Sequence, residues 1–83
     1  MPRFYFDVFD GETTIPDEVG LDVDDDLEQI RHLAIDALPD VAREKLPDGD
    51  RAEFTVIVRD AGGRNIFRAT LSLHAEWINR SEG

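Results

Sequence analysis

The chain has no cysteine, only one each of tryptophan, tyrosine and methionine in 83 residues, and nine basic side chains against nineteen acidic ones. Without cysteine there is no disulfide staple, thiolate zinc site, iron–sulfur cluster or cysteine nucleophile. Apolar runs are short: none approaches the roughly 18 residues of a membrane span, and the N-terminus lacks the basic-then-apolar order of a secretion signal. The expectation is a cytoplasmic protein with no membrane partner. The shortage of bases, at a net charge of −10, also argues against nucleic acid as a partner, because that affinity rests on Lys and Arg neutralising phosphates. Six glycines and four prolines are too few for a collagen-like or low-complexity chain. This length supports one domain, expected over residues 1–78, with 79–83 as a flexible C-terminal tail.

The missing bases are missing from one place. Between Arg3 and Arg31 there is none, yet that stretch holds Asp7, Asp10, Glu12, Asp17, Glu18, Asp22, Asp24, Asp25, Asp26 and Glu28. From Arg43 onward seven bases balance seven acids, so the first 30 residues carry a net −9 and the last 41 carry none. A one-sided field of this kind steers a basic partner to one surface, and it also serves solubility.

Residues 3–9 put Phe4, Phe6 and Val8 on one side and Tyr5, Asp7 and Phe9 on the other, the period of a strand. Asp10-Gly11 is a hairpin signal after which residues 13–15 return as a short edge strand, limited by Pro16. Leu27, Ile30, Leu33, Ala34, Ala37, Leu38 and Val41 recur at helical steps, starting a helix near residue 25 or 26 behind the aspartate run. Acids at that end cap free N–H groups and favour the helix dipole. Pro39 removes a hydrogen bond within this stripe, so a kink or break is expected at 38–39, and Pro47 with Gly49 supplies the stop. Residues 52–60 and 64–77 alternate as two further strands around the turn Asp60-Ala61-Gly62-Gly63-Arg64. The expected fold is α+β: a four-stranded antiparallel sheet in the chain order strand, strand, helix, strand, strand. Its one helix covers Phe4, Phe6, Val8, Val56, Val58, Leu71 and Leu73.

Tyr5, Phe9, Ile57 and Ile66 fall on the sheet face away from the helix. If contiguous, they form a surface for self-association as a homodimer. Trp77, on the core face near the end of the last strand, either closes the core or anchors a partner.

Candidate chemistry is thin. Asp22 to Glu28 holds five carboxylates, which suits a hard cation, but an EF-hand starting at Asp22 needs glycine where Leu27 stands and glutamate where Leu33 stands. No metal ligands and no cofactor are therefore assigned, although a metal-dependent regulator using Asp22–Glu28 stays open as an alternative. His32 and His74 fall on different layers, and the nucleophile-elbow, phosphate-loop and dinucleotide motifs are missing. No catalytic residue is assigned and no enzyme activity is expected.

The opening Pro2-Arg3-Phe4-Tyr5-Phe6-Asp7-Val8, then Asp10-Gly11, Pro16-Asp17-Glu18 with Gly20, an acidic helix start, Leu46-Pro47-Asp48-Gly49 and finally Val58-Arg59-Asp60 with Gly63-Arg64 make an ordered set. It resembles a family of short alphaproteobacterial proteins carrying a domain of unknown function. The resemblance covers nearly the whole chain and implies a small stand-alone bacterial cytoplasmic protein without assigned catalytic residues. Pro39 departs from the plain helix of that family. Residues 3–42 are also loosely similar to small antitoxins of the HicB type, whose acidic hairpin leads into a helix; that likeness implies a small basic toxin as partner, but the DNA-binding segment such antitoxins often carry is missing. The reading is of a non-enzymatic interaction domain that presents Asp17, Glu18, Asp22, Asp24 and Asp25 to a basic protein.

Overall fold

A computed structural model describes residues 2–24, 26–46 and 49–79. The elements run β1 (Arg3–Phe9), β2 (Thr14–Ile15), β3 (Leu21–Asp22), α1 (Leu27–Lys45), β4 (Arg51–Arg59) and β5 (Asn65–His74). All pairings are antiparallel: the sheet order is β2-β1-β4-β5, and β3 joins the same side of β1 as β2.

The architecture is the expected α+β, a helix on an antiparallel sheet, but with five strands among the described residues rather than four. The additional strand is Leu21–Asp22. After Pro16 has ended β2, the chain loops and returns to the same edge of β1, pairing Arg3 with Asp22 and Phe4 with Leu21. The Val23 N–H then donates to the Pro2 carbonyl at 3.0 Å and closes that edge.

Asp26 starts the helix: its backbone is extended and its side chain accepts from the Glu28 N–H. At the other end the Leu46 N–H returns to the Ala42 carbonyl. Ile30, Ala34, Leu38 and Ala42, at strict i, i+4 steps, are the buried stripe. They meet Phe4, Val23, Phe54, Val56 and Val58 in one core. Full burial of a side chain such as Phe54, Val56, Val58 or Ile30 contributes about 1.5 to 3 kcal/mol, so this cluster dominates the stability of the fold.

Four expectations are corrected. Of the kink or break expected at 38–39, the break does not occur: the helix continues through Pro39 to Lys45. Pro39 and Ile35 both lie on the exposed side, so the carbonyl that loses its intrahelical donor is on the solvent-facing side of the helix, where water can replace that donor. Leu27, at the first helical position, is exposed and outside the core. The last strand ends at His74 instead of reaching residue 77, because β4, its only neighbour among the described residues, begins at Arg51, which pairs with His74. One more bond, from the Ala75 N–H to the Asp50 carbonyl at 2.8 Å, completes the ladder. Trp77 therefore does not close the core; it is 79% exposed. Leu71 is on the core face opposite Phe54 yet 40% exposed, although the helix packs against β5 as well as β4. The expected tail 79–83 lies outside the described residues, except Asn79, as do Pro47 and Asp48 of the expected stop.

Replacing Pro39 with alanine restores the missing donor at an exposed site, and the expected result is a gain of about 1 to 3 kcal/mol, or a melting temperature higher by roughly 4 to 8 °C per kcal/mol. Thermal unfolding of the Pro39→Ala variant checks this; a lower melting temperature would mean that the helix depends on the proline.

Candidate functional site

The outer face, away from the helix, is organised around charge. Tyr5 and Arg59 are paired residues on neighbouring strands, as are Asp7 and Ile57. From this register the Arg59 guanidinium reaches one position diagonally to Asp7, donating from Nε at 2.8 Å and from NH2 at 3.2 Å. It also lies 4.7 Å from the centroid of the Tyr5 ring, a cation–π contact. The same NH2 group donates to the Asp17 carbonyl at 3.1 Å, and the Asp17 N–H donates to the Asp7 carboxylate at 2.8 Å.

Asp17 completes the clamp from the loop side. Its carboxylate accepts from the backbone N–H groups of Phe6, Val19 and Gly20 at 3.0 to 3.1 Å. Gly20 is required at this point: its φ is +78°, and a Cβ there would sit 2.8 Å from the Tyr5 ring and 2.9 Å from Arg3 Cγ. Residues 16–20 are thus tied down over the sheet. The Arg3 guanidinium adds a bond to the Val19 carbonyl and an ion pair with Asp22 at 3.0 Å.

This arrangement sorts the acidic residues. Asp17 is half-buried with its carboxylate committed internally, so it is not presented to a partner. Asp22 is exposed but paired with Arg3. Glu18 and Asp24 are exposed, and neither forms an ion pair among the described residues. Asp25 lies outside the described residues. Two further acids, Glu12 in the β1–β2 turn and Glu28 in the first helical turn, are exposed and likewise without an ion pair among the described residues. Glu18 lies between β2 and β3 and Asp24 follows β3, so these two carboxylates belong to the segment that flanks β1. Among the described residues no three metal-ligating side chains converge; within Asp22–Glu28, Asp22 is engaged by Arg3 and Asp26 by the helix cap.

The four apolar residues assigned to self-association do not form one patch. Tyr5 is half-buried beneath Arg59 and Gly20. Phe9 and Ile57 line one depression of about 360 Å³ with Asp7, Thr55, Arg68 and Thr70, where the Thr55 and Thr70 hydroxyls are hydrogen-bonded at 3.1 Å. Ile66 is exposed near the β4–β5 turn, at the register shift by Arg59. A second, open groove of about 640 Å³ runs past Asp10, Lys45, Arg51, Glu53 and His74. There Lys45 already pairs with Asp10 at 3.3 Å, and Asp10 accepts from the Glu12 and Thr13 N–H groups to hold the first hairpin. His32 is exposed on the helix, apart from His74.

Asp7 and Arg59 were visible in the sequence only as opposite charges on outward strand positions, 52 residues apart. Antiparallel pairing of their two strands was the missing link.

Hydrogen bonds from Arg59 hold the Asp7 carboxyl below the usual carboxylate range despite its burial, with the Asp17 N–H adding to the effect. Burial pushes Asp17 up, but the Gly20, Phe6 and Val19 N–H groups outweigh it and leave it lowered. Asp10 is lowered first by the Thr13 N–H, and Asp60 first by the Arg64 N–H. For lowered groups the unfolded chain binds more protons on acidification. The stability they contribute is complete above the ordinary aspartate value of about 3.9 and is lost as pH falls through the lower folded values. Melting temperature is therefore expected to fall below about pH 4, and Asp7→Asn is expected to flatten that fall; an equally steep profile in the variant would contradict the assignment to this clamp.

A family model described as a domain of unknown function, DUF6894, matches residues 3–72. No curated protein and no solved structure matches the chain.

Proposed function

The chain belongs to the DUF6894 family of domains of unknown function, and from that premise we propose that it is a non-enzymatic interaction domain whose acidic edge docks a basic protein. The observation that carries this reading is the division of labour among its carboxylates. Asp7, Asp10 and Asp17 are spent on internal bonds, whereas Glu12, Glu18, Asp24 and Glu28 are exposed and unpaired with any base among the described residues.

The clamp matters to this role because it fixes the loop that carries Glu18. A surface of ordered charges loses less conformational freedom on docking than a floppy acidic segment. Such an edge raises the encounter rate with a basic partner, repels nucleic-acid phosphates, and acts over a distance set by salt, about 8 to 10 Å at physiological ionic strength. Among the described residues no helix is long and apolar enough to cross a membrane.

The test compares the native chain with the fourfold variant Glu12→Gln, Glu18→Gln, Asp24→Asn, Glu28→Gln in affinity capture from the source lysate. The expected outcome is a basic protein retained at low salt, released at moderate salt and not retained by the variant. If that protein is small and toxin-like, the partner class narrows to the antitoxin-like alternative. Capture of the same proteins by both chains, independent of salt, would overturn the acidic-edge reading.

A further inference from the structure

The two edges of the sheet are finished differently. Beside β1 the edge is broken into β2 and β3, each of two residues, with Pro16 and the clamped loop between them. Such short, interrupted strands are how native sheets avoid adding a foreign strand. The other edge is β5, ten residues of sequence NIFRATLSLH. It contains no proline, glycine, lysine or acid, Arg68 is its only permanent charge, and no described strand pairs with its outer side.

Its side chains are unfinished as well. Leu71 and Leu73 face the helix side, directly opposite Phe54 and Ala52, but Leu71 is exposed and Leu73 only half-buried. Just past the strand, Trp77 and Ile78 are 79% and 96% exposed.

We propose that β5 is a homodimer interface, at which two copies pair antiparallel through this strand to form one continuous sheet in the order β2-β1-β4-β5-β5-β4-β1-β2. A two-fold axis makes an antiparallel edge self-complementary, so each free N–H of one copy that points outward donates to a free C=O of the other. Leu71 and Leu73 of the two copies are brought together beside the two helices. Strand reversal lays the residues beyond His74 of one copy alongside the start of β5 in the other, where Ile66 is exposed; Trp77 and Ile78 thereby gain an apolar neighbour.

The charge distribution favours a second copy at this edge over any other. Two chains of net −10 repel, and the repulsion is least where their acids are farthest apart. Pairing through β5 separates the two acidic edges by seven strand spacings of about 4.8 Å, roughly 34 Å, more than three Debye lengths at 0.1 M salt. Pairing through the β1 edge would juxtapose them. This inference stands apart from the acidic-edge reading, which needs no dimer.

Sedimentation equilibrium of the full chain from micromolar to millimolar concentration tests it. The native chain is expected to approach twice its monomer mass. Leu71→Lys and Ser72→Lys, both at exposed positions, are each expected to weaken dimerisation by at least about tenfold while retaining the native circular dichroism, because a lysine on a pairing edge opposes its two-fold copy. Phe9→Lys, on the outer face, is expected to leave the dimer intact. A native chain that stays monomeric throughout would overturn the proposal. So would a dimer that survives both edge lysines, or one that is lost on Phe9→Lys alone.

Discussion

The Asp7–Arg59 ion pair is the constraint on which the outer half of this molecule depends. It joins β1 to β4 across the sheet, and through the Asp17 backbone it ties the following loop to both strands. That loop lets the chain leave β2, pass over Tyr5 and return to the same edge of β1 as β3. Asp26 then starts the helix, whose stripe closes the core. The acidic N-terminal third is therefore a folded layer rather than an appendage. Part of its charge holds it in place, while Glu12, Glu18, Asp24 and Glu28 face solvent.

Charge separation within a short chain gives each edge a different character. One side of the sheet is short-stranded, interrupted and acidic; the other is long, continuous and nearly free of charge. Both properties come from the order of elements: the acids occur where the chain turns most often, and the long hairpin β4–β5 has its only tight turn at Asp60, whose carboxylate accepts from the Gly62 and Arg64 N–H groups. The single helix packs on β4 and β5, yet Leu71 of the long edge stays exposed. For a chain of this size, with a core built around nine buried apolar residues among those described, an external neighbour on that edge adds apolar burial that the monomer lacks.

Much of the fold was legible in the sequence, for reasons that also mark the limits. Period-2 alternation in β1 and β4 and the i, i+4 stripe of the helix report burial directly, so the layers and the core face of Phe4, Val56 and Val58 could be read residue by residue. The family likeness was legible too, because it rests on an ordered set of turns and strand ends. Alternation does not say where a ladder stops: residues 75–77 continue the pattern, but their partners on β4 have run out, and Trp77 leaves the sheet. Nor does a two-residue strand such as Leu21–Asp22 carry a period. Pro39 misled because its propensity was weighed without knowing that it faces water. At the candidate site, Glu18 and Asp24 matched expectation in being exposed. Asp17 did not, because its role depends on N–H groups contributed by β1 and by its own loop after folding.

The central claim is that the clamp, rather than intrinsic loop preference, holds residues 16–20 against the sheet. Amide hydrogen exchange by NMR on the native chain and on Arg59→Gln tests it most directly. The account expects the Phe6, Asp17, Val19 and Gly20 amides to be protected in the native chain and to exchange faster in the variant, while the amides between β4 and β5 keep their protection. Unchanged protection of those four amides in Arg59→Gln would contradict it.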